Sequence, residues 1–113
     1  MVIDVSEPGQ LVVLTGRLDV SSVADVRLAL HAAVDNGVGD LFLNVSGVEA
    51  IDASGLGVLV GGHRRAGRAG RRLVVAGSPD PVLRMLHLTK LDRVLCLTGK
   101  VPVASASPYA AAG

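Results

Sequence analysis

Short apolar runs alternate with segments rich in glycine, proline and charge along this chain. The first two runs, Val2–Val5 and Leu11–Leu14, flank the segment Glu7–Gln10, which has Pro8 and Gly9 at its centre. Turn-forming residues between two short apolar runs are typical of a β-hairpin. The pattern therefore predicts that the chain opens with a strand, a turn and a second strand.

The following segment has helical periodicity. Ser22 with Asp25 three residues later resembles a capping box, in which aspartate replaces the usual glutamate or glutamine. Asn36 and Gly37 supply a helix end. The apolar residues between these signals form one helical stripe: Val23, Val26, Leu30, Ala33 and Val34.

The second half repeats a strand–helix alternation. Leu41–Val45 is nearly all apolar, as expected for a strand covered on both faces. After a short loop, the spacing predicts a helix from about Ser54 to Ala66, and Leu73–Ala76 forms the next strand. The apolar side of this helix has four members: Leu56, Leu59, Val60 and His63.

A third helix and a last strand complete the pattern. Asp80 is a candidate N-cap because Pro81 follows it at the first helical position. Val94–Leu97 is the last short apolar run. The buried side of the third helix is expected to comprise three residues: Val82, Leu83 and Leu86.

This order of elements predicts an α/β fold with a mixed, mostly parallel sheet of about five strands and three to four helices. Right-handed crossovers place the carboxyl ends of parallel strands along one edge of a sheet. Asp19 and Ser54 each follow a strand that could end there. We therefore expect both residues on one surface.

The composition is that of a single small domain. Of the 113 residues, 50% are hydrophobic, but only one Phe and one Tyr are present, so the core must be aliphatic. We expect one domain over residues 1–101 and a frayed Ala/Ser/Pro-rich tail over 102–113. A formal charge of +1 and the scarcity of aromatic rings argue against direct nucleic-acid binding.

Other signals point to an intracellular protein. No apolar run approaches the roughly 20 residues that span a bilayer, and the first residues lack the pattern of a secretory signal. We therefore expect no membrane insertion and a cytoplasmic location. The single cysteine, Cys96, lies in an apolar run and is interpreted as a buried structural thiol.

Catalytic and cofactor motifs are weak. The glycines at 55, 57 and 61 fit a dinucleotide fingerprint poorly, because the third comes one residue late. Ala53-Ser54-Gly55 sits where a nucleophile elbow could, but Asp52 stands in the place of its first glycine and none of the three histidines has an evident role as a base. We therefore expect no enzymatic activity and no cofactor.

Two further kinds of site are also unsupported. The histidines and the one cysteine are scattered, so no metal site is predicted. The arginines between residues 64 and 72 could contact nucleic acid or acidic lipid, but a solvated helix end explains them more simply.

Ser54 has two readings. Its hydroxyl could cap the helix by accepting a backbone N–H bond. Asp52 is an equally good cap, however, and would leave Ser54 free in the first turn. A phosphate there would be favoured by the unpaired N–H groups of the helix start, and phosphorylation would add about −1.5 to −2 charges beside Asp52.

Several segments together resemble the STAS domains, and among them the bacterial anti-sigma factor antagonists. The resemblance rests on Leu14–Asp19 (LTGRLD), on Leu41–Val45 leading to Asp52–Leu59 (DASGLGVL), and on Leu73–Leu86. It covers roughly Leu11 to Leu97, and the serine segment is its most specific part. The resemblance implies a STAS-like fold.

The resemblance also implies a function. Such antagonists bind a cognate anti-sigma factor, a serine kinase with a histidine-kinase-like ATP fold, and so free a sigma factor. The kinase phosphorylates a serine at the start of the helix after the third strand, which ends binding, and a PP2C-type phosphatase reverses this. Carried over, Ser54 is the phosphoacceptor, and the partner-binding residues are Asp19, Asp52, Ala53, Ser54, Gly55 and Gly57.

Two positions depart from the family pattern. Ala53 stands where many relatives have Ser or Thr, so Ser54 is the only phosphoacceptor of its segment. Arg17 stands where an acid is common, and this reverses a charge in a loop that is expected to contact the partner. The alternative is a STAS scaffold or transport-accessory subunit, for example of a lipid-transport complex, without phosphoregulation.

Overall fold

The computed structural model describes residues 1–102. It opens with the predicted hairpin, in which β1 (Val2–Glu7) pairs antiparallel with β2 (Leu11–Leu18). The turn between them contains Gly9 with φ +74°, a left-handed conformation that glycine adopts without steric cost. The predicted tail, apart from Pro102, lies outside the described residues.

Helices and parallel strands alternate after the hairpin. The sheet order is β1-β2-β3-β4-β5, and every pair after the first is parallel. This arrangement confirms the predicted α/β class. The remaining elements are α1 (Val23–Asp35), β3 (Asp40–Ile51), α2 (Ala53–Arg68), β4 (Arg72–Ala76), α3 (Asp80–Leu88), a 3-10 turn (Leu91–Arg93) and β5 (Cys96–Thr98).

The core lies between one face of the sheet and the three helices. Side chains alternate between the two faces of a strand, so every second residue of the central strands is buried against the helices. These residues and the buried sides of the helices belong to one aliphatic cluster. Its central strand members are Val12, Leu14, Leu41, Leu43, Leu73 and Val75, and its helical members include Val26, Leu30, Leu59 and Leu86.

β3 is longer than predicted. The short loop expected before the second helix does not form, because the strand continues to Ile51 and only Asp52 separates it from α2. The added part of β3 pairs with the second half of β2 across two register shifts. Pairing with a distant strand thus overrides the turn preference of Ser46 and Gly47.

Two predicted helix starts differ in detail. The Ser22 hydroxyl donates to the Arg17 carbonyl (2.8 Å) and makes no capping bond, so the predicted capping box with Asp25 is wrong. Asp80 lies within α3 rather than at its N-cap. The carbonyl of Pro79 accepts the first helical bonds, which shifts the start by one residue.

The last elements also differ from expectation. Leu83 was predicted on the buried side of the third helix but is 45% exposed. Only Val82 and Leu86 of α3 are fully buried. Val94 is half exposed after the 3-10 turn, so β5 starts later than predicted. Cys96 is half-buried rather than buried. It lines a groove of about 700 Å³ on the sheet face opposite the helices.

The arginines between residues 64 and 72 do not form one basic patch. Arg65 pairs with Asp35 (2.9 Å) and Arg72 with Asp40 (2.7 Å). Arg71 is only 7% exposed. Its guanidinium donates to five backbone carbonyls, those of Gly9, Ala33, Val34, Val38 and Gly39. Arg71 therefore ties the hairpin turn to the carboxyl end of α1, a role that was not predicted.

Candidate functional site

The site lies where β2 and β3 end side by side. Leu18 pairs with Ile51 in the parallel register, and Asp19 and Asp52 follow them directly. The Asp52 N–H donates to the Leu18 carbonyl (3.3 Å). The structure thus brings Asp19 and the start of α2 to one edge of the sheet, as expected from the strand order.

Asp52 is the N-cap of α2. It has an extended backbone (φ −116°, ψ −174°), and its Oδ1 accepts the Gly55 N–H (3.0 Å). The bond satisfies one of the N–H groups that the first helical turn leaves without a partner. Of the two capping residues considered from the sequence, the structure selects Asp52.

Ser54 occupies the second helical position and is exposed. Its hydroxyl makes no hydrogen bond with any residue between 1 and 102. Since Asp52 performs the capping, the Ser54 hydroxyl is free to react or to contact a partner. It projects from a turn whose N–H groups favour negative charge.

The glycines of the segment have different roles. Gly55 is buried, and a methyl group there would come within 2.8 Å of Ile51 Cγ1 and 2.9 Å of Leu18 Cγ. Gly55 therefore supports the site from beneath and offers no outer surface to a partner. Ala53 and Gly57 are exposed, and they lie on either side of Ser54 in the first five residues of α2.

Asp19 is held in its charged form. Its Oδ1 accepts from the Ser21 hydroxyl (2.5 Å) and from the Ser21 N–H (3.0 Å). These bonds, with a smaller contribution from Arg17, lower the pKa of the Asp19 carboxyl below its ordinary value. Arg17 lies 3.5 Å from Asp19 and is 70% exposed, so this surface carries one cation beside its acids.

The residues that the structure describes do not form the phosphate-binding, catalytic or metal sites that were considered from the sequence. Gly57 and Gly61 lie inside α2 rather than in a strand–helix turn, so they form no phosphate-binding loop. No histidine hydrogen-bonds Ser54 in the described part of the chain. Within residues 1–102, no three His, Cys, Asp or Glu side chains are grouped as metal ligands would be. No helix in that range is both long and apolar enough to cross a bilayer.

Val20 is part of this edge and was not predicted. It is 74% exposed, and its N–H donates to Asp52 Oδ2 (3.3 Å). The only signal in the sequence is an apolar residue inside the polar turn Asp19–Ser22, and such isolated residues are common on surfaces.

Comparison of the sequence with models of known families identifies the family, and the match covers nearly the whole domain. A sequence model described as "Mlab, STAS domain" matches residues 3–99. The chain belongs to the STAS domain family. This STAS domain is 29% identical to the anti-sigma-B factor antagonist of Staphylococcus aureus over 80 residues, which are 71% of this chain and 74% of that protein.

Solved structures of similar shape support the same fold. An anti-sigma factor antagonist from Mycobacterium paratuberculosis superposes with a TM-score of 0.74 at 23% identity, covering 88% of this chain and 85% of that one. The antagonist SpoIIAA, in its unphosphorylated form, gives 0.65 at 18% identity, with 88% and 87% covered. At these identities the likeness establishes the fold, and it confirms the predicted STAS-like architecture.

Proposed function

We propose that this STAS domain is a cytoplasmic anti-sigma factor antagonist controlled by phosphorylation of Ser54. The unphosphorylated form binds an anti-sigma serine kinase with a histidine-kinase-like ATP fold and so frees a sigma factor. The observation that carries the proposal is the exposed Ser54 hydroxyl, left without a structural task by the Asp52 cap. The relative from Staphylococcus aureus supports the partner class.

Electrostatics explain how phosphorylation would end binding. The edge already carries the carboxylates of Asp19 and Asp52, and a phosphate on Ser54 would add about two negative charges beside them. A partner that covers this edge must desolvate or pair those charges, at a cost of several kcal/mol. Because 1.4 kcal/mol is a factor of about ten in affinity, such a cost releases a tightly bound partner. A PP2C-type phosphatase would restore the binding form.

Two exposed glycines of α2, Gly57 and Gly61, also support the proposal that a partner covers this helix. A methyl group on Gly57 or Gly61 would meet no other atom within 4 Å. Nothing in the described fold therefore requires glycine at these positions, although each costs roughly 0.5–1 kcal/mol relative to alanine in a helix. Close approach of a partner to the part of α2 nearer Ser54 would use the missing side chains of both, whereas Gly67, which also has open space around it, lies in the last turn of the helix. Gly57 would contact that partner beside Ser54.

The proposal is tested by capture from native-host lysate with two baits, Ser54→Ala and Ser54→Asp. We expect the alanine bait to retain a histidine-kinase-like anti-sigma factor and the aspartate bait to lose it. Ser6→Asp is the control for charge added away from the site, because Ser6 lies in β1 beside the start of β2 rather than its end. Equal retention of the kinase by both baits would contradict the switch.

The same experiment addresses the alternative of a STAS scaffold or transport-accessory subunit. In that case both baits would recover the same membrane-transport subunits, and Ser54 would serve only as a contact. The two functions thus predict different proteins on the alanine bait and a different effect of the aspartate.

A further inference from the structure

The turn between β2 and α1 displays one apolar side chain on a fixed backbone. The Asp19 carboxylate accepts hydrogen bonds from the N–H and the hydroxyl of Ser21. The backbone N–H of Asp19 donates to Ser22 Oγ (3.1 Å). Ser22 in turn donates to the Arg17 carbonyl. Val20 lies at the tip of this network with 74% of its surface exposed.

Asp52 links this turn to the start of α2. Its two carboxylate oxygens have separate tasks: Oδ1 accepts the Gly55 N–H (3.0 Å) and Oδ2 accepts the Val20 N–H (3.3 Å). One side chain therefore sets both the helix that carries Ser54 and the position of Val20. The position of Val20 relative to Ser54 is therefore fixed through Asp52.

We propose that Val20 is the apolar anchor of the partner-binding surface and that Asp52 is its positioning residue. This inference rests on the proposed function, because it describes the same surface. The partner that fits is a protein with an apolar socket for Val20 and a cationic group facing the Asp19 carboxylate, which the N–H and hydroxyl of Ser21 hold in place beside it.

Val20 suits the role of an anchor because little of its side chain and backbone has to become ordered when a partner binds. A β-branched side chain has few rotamers to lose, and the backbone beneath Val20 is already fixed by hydrogen bonds. Interface energy concentrates in a few residues that are fully buried in the complex. Burial of an apolar side chain such as valine contributes by removing its surface from water. Val20 lies in the turn that Asp52 holds beside α2, so Ser54 phosphorylation would place charge at the rim of its socket.

Val20 is tested by the affinity for the purified anti-sigma kinase that the Ser54→Ala bait retains. We expect Val20→Ser to weaken binding at least about tenfold with an unchanged melting temperature. Val38→Ser is the matched control, since Val38 is 81% exposed in the connection before β3, at the other edge of the sheet. Wild-type affinity of Val20→Ser would overturn the inference, and the loss of binding by Ser54→Asp would show that the proposed function still holds.

Asp52 is tested by Asp52→Asn. Asparagine has an NH2 group in place of one carboxylate oxygen. With its oxygen on the Gly55 N–H that caps α2, the NH2 group faces the Val20 N–H and cannot accept from it. We expect a helix start that stays formed, faster hydrogen exchange of the Val20 amide measured by NMR, and weaker kinase binding. Unchanged exchange at Val20, or unchanged affinity, would contradict the positioning role.

Discussion

Replacement of Gly57 by alanine should make this protein more stable and a poorer binder. Gly57 lies inside α2 with helical backbone, and a methyl group there would find open space within 4 Å. The substitution therefore creates no clash within the domain. It removes the conformational freedom that glycine has in the unfolded chain and loses on folding.

The size of the gain follows from this geometry. A glycine in a helix interior costs about 0.5–1 kcal/mol relative to alanine, and the open space at Gly57 lets the whole difference appear. Since 1 kcal/mol shifts the melting temperature of a domain near this size by about 4–8 °C, Gly57→Ala should melt roughly 2–8 °C higher. A methyl group in a close-packed contact with a partner costs about 1–3 kcal/mol, so affinity should fall about fivefold or more.

The assays are thermal unfolding by circular dichroism and titration with the purified anti-sigma kinase. Gly67→Ala is the control, because Gly67 is another exposed glycine of α2 with open space around it, about 15 Å along the axis from Gly57. It should gain stability and bind normally. A destabilised Gly57→Ala would refute the reasoning about the fold, and a stabilised variant with full affinity would refute a covered α2 surface.

Two further substitutions test the interior that supports the site. Gly55→Ala should lose about 1–3 kcal/mol in urea unfolding, because its methyl group would press on Leu18; wild-type stability would show that α2 shifts freely. Arg71→Met should lose about 3 kcal/mol, since buried carbonyls would be left without donors, whereas Arg68→Met, at an exposed position, should change little. A loss below about 1 kcal/mol for Arg71→Met would contradict its role as a link between segments.

The elements that could be predicted are those whose signals are local. Alternation and turn residues marked the hairpin, and the helical stripes marked α1 and α2 within a few residues of their ends. Asp52 and Ser54 were both recognisable as residues of a helix start. Parallel order then placed Asp19 near them, because strand direction alone determines which ends share an edge.

What could not be predicted depends on partners far away in the chain. Arg71 resembles its arginine neighbours in sequence, and its role depends on carbonyls 62 residues away at Gly9 and 37 residues away at Val34. Gly55 and Gly57 are two residues apart, yet packing against Leu18 of β2 and Ile51 of β3 separates a buried glycine from an exposed one. The extension of β3 likewise arises from pairing with β2 across register shifts.

The central claim is that Ser54 is the residue through which binding is switched. Incubation of the wild-type protein with the purified anti-sigma kinase and ATP, followed by peptide mapping and a binding titration, tests it most directly. The account predicts one phosphoryl group, located on Ser54, and a modified protein that no longer binds the kinase. Phosphorylation at another serine, or a Ser54-phosphorylated protein that binds as tightly as before, would contradict it.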